Sequence, residues 1–159
     1  MTPAYIPSGL TASPRNGGAT VVASKSGEIA EDTVWRGFYH DYYADGSPKL
    51  TDDVAAVKGF FLTASRIGIL NDCCYVLSED ALQTSVIGGT SVLFGYRSMP
   101  YGPYDPQTHE PSGYYDLYTA EFQQDGISYE IVAEQMPLEE LIKVVASVIC
   151  ETDGVVVTD

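Results

Sequence analysis

The feature that most constrains the fold of this chain is a hairpin followed by a helix, over residues 114–149. Asp125-Gly126 is the dipeptide that best tolerates the positive φ angles of a type I′ turn, and apolar side chains alternate with others on both sides of it. A two-residue turn predicts the cross-strand pairs Gln124 with Ile127, Phe122 with Tyr129, Ala120 with Ile131, and Tyr118 with Ala133. Because the last three pairs lie on one face, the turn and the apolar pattern predict the same register.

The opposite face of this hairpin carries acidic side chains. The predicted register places Glu121 directly opposite Glu130. Like charges in that position destabilise a sheet, so we expect this face to be exposed to water. A slip of one residue would exchange the two faces, which makes the register a sharp prediction.

The helix after the hairpin is predicted to begin at Pro137, whose missing N–H would have no partner in the first turn. Glu139 and Glu140 suit the positive end of the helix dipole. One apolar stripe is formed by Leu138, Leu141, Ile142, Val145, Val148 and Ile149. Burying such a stripe is worth roughly 10 kcal/mol before the entropy of ordering is subtracted, which is enough to dock the helix on the sheet. The unit therefore predicts an α+β fold rather than a parallel βαβ fold.

The rest of the chain adds further predicted strands. Their positions are 20–23, 34–43, 60–67, 73–77 and 86–97, and a short helix is predicted at 51–58. Gly88-Gly89 folds the last of these segments into a hairpin with Val92, Phe94 and Tyr96 on one face. The total of about six to eight strands is compatible with a single antiparallel sheet.

The length of 159 residues predicts one domain, 1–159. Residues 1–18 are predicted to be a loop-like N-terminal arm, from which only Tyr5 and Ile6 reach the core. Residues 98–113 hold four prolines and are predicted to be a long loop, a class of segment that is usually functional or disordered. Residues 151–159 form a tail that either frays or adds an edge strand.

The formal charge of −14 limits the classes of partner. It argues against nucleic-acid binding, which needs clustered lysine and arginine, and against adsorption to an anionic membrane surface. No apolar run is long enough to insert into a membrane. From residue 98 onward, twelve acidic residues stand against one basic residue, Lys143. Two interpretations stay open, a solvated acidic surface or a surface that binds cations or a basic partner.

Catalytic and metal-binding patterns are absent from the sequence. The two histidine–carboxylate neighbours, His40-Asp41 and His109-Glu110, have no further ligands at a recognised metal spacing. The three cysteines are Cys73, Cys74 and Cys150. Adjacent cysteines rarely bridge each other, so either one of that pair reaches Cys150 or all three are buried thiols. We therefore expect neither an enzyme nor a cofactor.

Four segments, taken together, resemble an extracytoplasmic domain family of unknown function from Gram-positive bacteria. They are residues 5–9 (YIPSG), 87–96 (IGGTSVLFGY), 126–133 (GISYEIVA) and 138–147 (LEELIKVVAS). Members of the family occur in cell-envelope proteins and in anti-sigma-factor-like regulators. The resemblance implies a curved antiparallel sheet with packed helices, similar to periplasmic lipoprotein carriers and sensors. It also implies an extracytoplasmic location, with the targeting or transmembrane segment outside this sequence, and it transfers no catalytic residues.

Two functional hypotheses follow. The first is a non-catalytic sensor or protein-interaction module of the cell envelope, because tyrosine combines a large contact area with a polar tip and proline stiffens a loop. Its candidate binding residues are Tyr96, Tyr101, Tyr104, Tyr114 and Tyr115. The second is a carrier that holds an apolar ligand between sheet and helix against Trp35, Phe38, Phe60 and Phe94. The first requires exposed loop tyrosines, whereas the second requires an enclosed apolar cavity.

Overall fold

The computed structural model describes residues 2–17, 22–23, 29–30, 34–50, 57–66, 68 and 82–152. The strands are β1 (Thr11–Ala12), β2 (Val22–Ala23), β3 (Ile29–Ala30), β4 (Val34–His40), β5 (Gly59–Ser65), β6 (Gln83–Ile87), β7 (Thr90–Tyr101), β8 (Gly113–Gln124) and β9 (Ile127–Glu134), and the helix is α1 (Leu138–Thr152). Seven strands form an open antiparallel sheet in the order β1-β4-β5-β9-β8-β7-β6, and β2 pairs with β3 separately. This confirms the predicted α+β class, with an antiparallel sheet and a C-terminal helix.

The predicted register of the β8–β9 hairpin is confirmed. All four predicted pairs are present, and Asp125 and Gly126 have φ angles of 52° and 76°, as a type I′ turn requires. The rings of Phe122 and Tyr129 stack with their centroids 4.8 Å apart. The turn and the apolar face thus specify one pairing.

Helix α1 packs on the face of the sheet that carries these rings. It begins at Leu138, one residue later than predicted, and the carbonyl of Pro137 accepts the first helical hydrogen bonds. The predicted stripe is wrong at one position, because Ile142 is exposed and Val144 is fully buried in its place. The buried positions Leu141, Val144, Val145, Val148 and Ile149 follow the i, i+3, i+4, i+7, i+8 spacing of a narrower stripe, so Ile142 lies at its margin.

The N-terminal arm contributes a strand to the sheet and a side chain to the core. Strand β1 pairs with β4, and Leu10 is buried in the core, which the prediction for residues 1–18 did not include. Tyr5 and Ile6 pack against the core as predicted. The Tyr5 hydroxyl donates to Glu140 Oε2 on the helix. The arm therefore closes the helix side of the sheet.

The predicted loop at 98–113 is too long. Strand β7 continues to Tyr101 and β8 begins at Gly113, because cross-strand pairs such as Met99 with Tyr115 extend the hairpin. The loop is confined to residues 102–112. Within the described residues, β6 pairs with β7 only as far as Phe94, so Pro100 lies on an unpaired edge, where proline is tolerated in a strand.

Several other predictions lie outside the described residues. They are the strand at 73–77 with Cys73 and Cys74, the segment 51–56 of the short helix and the segment 153–159 of the tail. The side chain of Cys150 is also outside them.

The sheet face away from α1, which we call the outer face, is not the wet surface that the sequence predicts. Glu130 is only 6% exposed, and burial raises the pKa of its cross-strand neighbour Glu121. Leu117 and Val132 on the same face are fully buried. Glu130 lies on the central strand β9, and the buried side chains of Thr63 on β5 and Thr119 on β8 flank it on the same face. The expectation that the Glu121–Glu130 face is exposed is therefore wrong.

Candidate functional site

Three of the predicted binding tyrosines line one cleft at the end of the β7–β8 hairpin. Its volume is about 340 Å³, and we call it the tyrosine cleft. Its lining residues are Val57, Pro100, Tyr101, Gly102, Tyr104, Tyr115 and Glu134. Strand β7 supplies Tyr101, the loop supplies Tyr104 and strand β8 supplies Tyr115, so the hairpin brings together residues that lie up to 14 positions apart.

The other two predicted tyrosines lie on the helix side of the same hairpin. Side chains alternate along a strand, so Tyr114 and Tyr115 point to opposite faces. The Tyr96 hydroxyl donates to Asp116 Oδ1 at 2.9 Å, and its ring lies 5.1 Å from that of Tyr118. Tyr114 is 58% exposed. The five tyrosines therefore surround the hairpin end from both sides instead of forming one patch.

The loop at 102–112 is fixed by its own hydrogen bonds. Asp105 Oδ1 accepts from the backbone N–H groups of Thr108 at 2.8 Å and Gln107 at 2.7 Å, and these bonds hold the pKa of Asp105 below its usual range. The backbone N–H of Asp105 donates to the carbonyl of Glu110, and Ser112 Oγ donates to the carbonyl of Pro103. The loop thus holds Tyr104 in place although that ring is 56% exposed.

Glu134 supplies the carboxylate of the tyrosine cleft, at the last position of β9. The side chain is half-buried, and burial raises the pKa of its carboxyl group. Among the described residues, no hydrogen bond or ion pair reaches this carboxylate. Within the described ranges, this carboxyl group therefore lies against aromatic walls without a cationic partner.

The neighbouring strands place His40 in the same cross-strand row as Glu134, with Gly59 between them. A Cβ atom on Gly59 would lie 2.5 Å from His40 Cδ2, so the imidazole leans over the space that the glycine leaves. Burial lowers the pKa of His40, which keeps the ring neutral near pH 7. Its Nδ1 lies 3.2 Å from the Tyr42 hydroxyl.

A second cleft of about 610 Å³ adjoins the tyrosine cleft, since Val57 lines both. Its lining includes Arg15, Phe38 and His40.

The sequence did not indicate that Glu134 and His40 belong to one surface. His40 and Glu134 become neighbours only because β5 pairs with β4 on one side and with β9 on the other. No short turn connects β5 to β9, so the sequence contains no local signal for that register.

The four residues proposed to hold an apolar ligand do not enclose one space. Phe60 and Phe94 are buried in the core between sheet and helix, and Trp35 packs against that core. Phe38 lies on the outer face, 38% exposed, with its ring 6.0 Å from that of Phe61. Close packing therefore accounts for Phe60 and Phe94, and this arrangement does not favour the carrier hypothesis.

The described part of the chain gives no support for a metal site or for a membrane-spanning helix. There, no three histidine, cysteine or acidic side chains converge in a way that could hold a metal ion. No helix in these residue ranges has both the length and the apolar character needed to cross a membrane. No protein-family model, no curated protein and no solved structure matches the chain.

Proposed function

We propose that this chain is a non-catalytic sensor or protein-interaction module of the bacterial cell envelope, and that the end of the β7–β8 hairpin is its contact surface. The observation that carries the proposal is the exposure of Tyr104 and Tyr114 on a hairpin whose loop is fixed by its own hydrogen bonds. Both residues are more than half exposed, as Tyr43 is, whereas Tyr39 and Tyr129 are fully buried.

The physical basis is the low entropy lost when a rigid aromatic surface binds. A tyrosine has only two rotatable side-chain angles and offers a large apolar ring with a polar tip. Binding residues of this kind dominate many protein interfaces. Because the Asp105 hydrogen bonds already order the loop, a partner would not have to order it.

The extracytoplasmic setting is part of the same proposal. The resemblance of residues 5–9, 87–96, 126–133 and 138–147 to a cell-envelope domain family supports it. The acidic character of the chain, with a formal charge of −14, suits a protein partner rather than nucleic acid. These points support a protein partner in the cell envelope.

The test is site-specific photo-crosslinking in the cells that produce the protein. A benzophenone amino acid replaces Tyr104 or Tyr114, and Val86, which is 71% exposed on edge strand β6, provides the matched control. We expect one discrete protein adduct from Tyr104 and Tyr114 and none from Val86. Adducts of equal yield at Val86, or no adduct at the tyrosines, would contradict the proposal.

The location is tested in the same cells. Protease added to intact cells without their wall should degrade the epitope-tagged chain. A chain that is protected until the membrane is lysed would contradict an extracytoplasmic location.

A further inference from the structure

We propose that the tyrosine cleft receives a basic side chain, arginine or lysine, from the protein partner. This inference rests on the proposed function and specifies the chemistry of the partner. It starts from the juxtaposition of the Glu134 carboxylate with Tyr101, Tyr104 and Tyr115 around one cleft.

The carboxylate is the first part of the argument. Removing a charge from water is unfavourable unless a counter-charge or hydrogen bonds compensate for it. Glu134 is half-buried, and within the described ranges of the chain its carboxylate has no such partner. A cationic group that enters the cleft would provide the missing compensation, so the free energy gained there is larger than at an exposed carboxylate.

The walls of the cleft are the second part. Tyrosine rings attract a cation placed over their faces, because the ring quadrupole presents negative charge there. A guanidinium group can stack on a ring and donate two parallel hydrogen bonds to one carboxylate, which an ammonium group cannot do. The volume of about 340 Å³ lies at the small end of ligand sites, so the cleft admits one side chain rather than a folded segment.

The charge of the surrounding chain is the third part. From residue 98 onward the only basic residue is Lys143, which lies on α1 and pairs with Glu140 at 2.7 Å. Residues 98–159 therefore present a negative field that attracts a basic partner and accelerates its association.

Glu121 provides a matched control within the same sheet. It lies on the outer face like Glu134, and burial raises its pKa too. The cleft beside it is lined by Gly89, Thr90, Ser91, Leu93, Phe122 and Gln123, without a tyrosine. If burial of a carboxylate alone were sufficient, both glutamates would bind cations equally.

The test is an NMR titration of the full chain with three blocked tripeptides, acetyl-Gly-X-Gly-amide, in which X is arginine, lysine or norleucine. We expect saturable shifts at Tyr101, Tyr115 and Glu134 with the two basic peptides, tighter with arginine, and none with norleucine. Glu134→Gln should weaken binding about tenfold, as expected from the loss of a partly buried ion pair. Glu121→Gln should leave the affinity within about twofold, because Glu121 does not line the tyrosine cleft.

Two results would overturn the inference. One is a set of shifts spread over the acidic surface, or equal for norleucine. The other is an equal loss of affinity in Glu134→Gln and Glu121→Gln. Amide spectra establish that each variant is folded, and Tyr104→Leu, which keeps an apolar side chain but removes the ring, should weaken arginine binding independently.

Failure of this inference is separable from failure of the proposed function. If the basic tripeptides do not bind but the benzophenone at Tyr104 still captures a discrete protein, the contact surface stands and the basic side chain is wrong. If neither occurs, both are wrong.

Discussion

The two faces of the sheet differ in what surrounds their buried groups. On the helix side, Tyr39 stacks on Phe60 at 4.6 Å, and Leu62 and Ile131 are buried with apolar neighbours. On the outer face, the half-buried Glu134 has a raised pKa and is separated from His40 by Gly59. Apolar burial stabilises the fold without any ligand, whereas a desolvated carboxylate opposes folding unless it is paired.

This difference indicates a division between scaffold and site. The core between α1 and the sheet is explained by packing, because Phe60, Leu62 and Ile131 are buried there and its ring pairs are stacked. The hairpin end holds groups that packing does not explain, namely the exposed rings of Tyr104 and Tyr114 and, in the tyrosine cleft, a carboxylate without a partner among the described residues. Natural proteins retain such destabilising arrangements where function requires them.

The largest expected effect is on the helix side. Leu141→Ala removes a fully buried side chain and leaves a cavity between α1 and the sheet. We expect the free energy of unfolding to fall by about 2–5 kcal/mol, measured by urea denaturation. A loss below about 1 kcal/mol would show that the helix does not pack on the sheet as described.

The next largest effect on stability is expected at Gly59, where the start of β5 pairs with the end of β4. Gly59 has a φ of 147°, and a Cβ atom there would lie 2.2 Å from the Tyr39 carbonyl oxygen. We expect Gly59→Ala to destabilise the protein by about 2–3 kcal/mol, because strain and overpacking add. Gly126→Ala is the control, since its φ is 76° but no atom lies within 4 Å of the added Cβ. That variant should lose only about 1 kcal/mol, and an equal loss in both would contradict the close approach.

The sequence predicts the scaffold better than the site, for a physical reason. The β8–β9 register is encoded locally, because Asp125-Gly126 fixes the turn and the alternation of Tyr118, Ala120 and Phe122 fixes the face. The tyrosine cleft is not encoded locally. Val57, Tyr104 and Glu134 meet only because β5 pairs with β9 and β9 with β8. The extension of β7 through Pro100 was also missed, since a proline on an unpaired edge resembles a loop in sequence.

A smaller, local effect is expected in the loop at 102–112. Asp105→Ala removes the acceptor for the N–H groups of Gln107 and Thr108. We expect hydrogen exchange of these two amides to become several-fold faster while the amides of β8 and β9 are unchanged. Glu110→Ala is the control in the same loop. Equal exchange in both variants would mean that Asp105 does not order the loop.

The smallest effect on stability should depend on pH. Because burial raises the pKa of Glu134, the folded protein holds this proton more tightly than the unfolded chain. The stabilising contribution of this group is full below the usual glutamate pKa and is lost as pH rises through the raised value. Glu134→Gln avoids that loss, so the free energy of unfolding of this variant should rise relative to that of the natural chain as pH increases above the usual glutamate pKa.

The control for this pH dependence is Glu110→Gln, which replaces an exposed glutamate of the loop. The comparison is made again in a His40→Gln background, because His40 faces Glu134 across Gly59 and its titration responds to the charge of the carboxylate. Urea midpoints at several pH values provide the measurement. A difference between Glu134→Gln and the natural chain that stays constant or shrinks as pH rises would contradict the burial of the carboxylate.

The most direct test of the central claim separates binding from folding at the hairpin end. The double variant Tyr104→Ser/Tyr114→Ser removes two exposed rings, and the benzophenone reporter is placed at the exposed Gln107 in the same loop. We predict that the discrete protein adduct disappears while the free energy of unfolding changes by less than about 0.5 kcal/mol. An adduct that persists in the double variant, or that disappears only because the protein unfolds, would contradict the account.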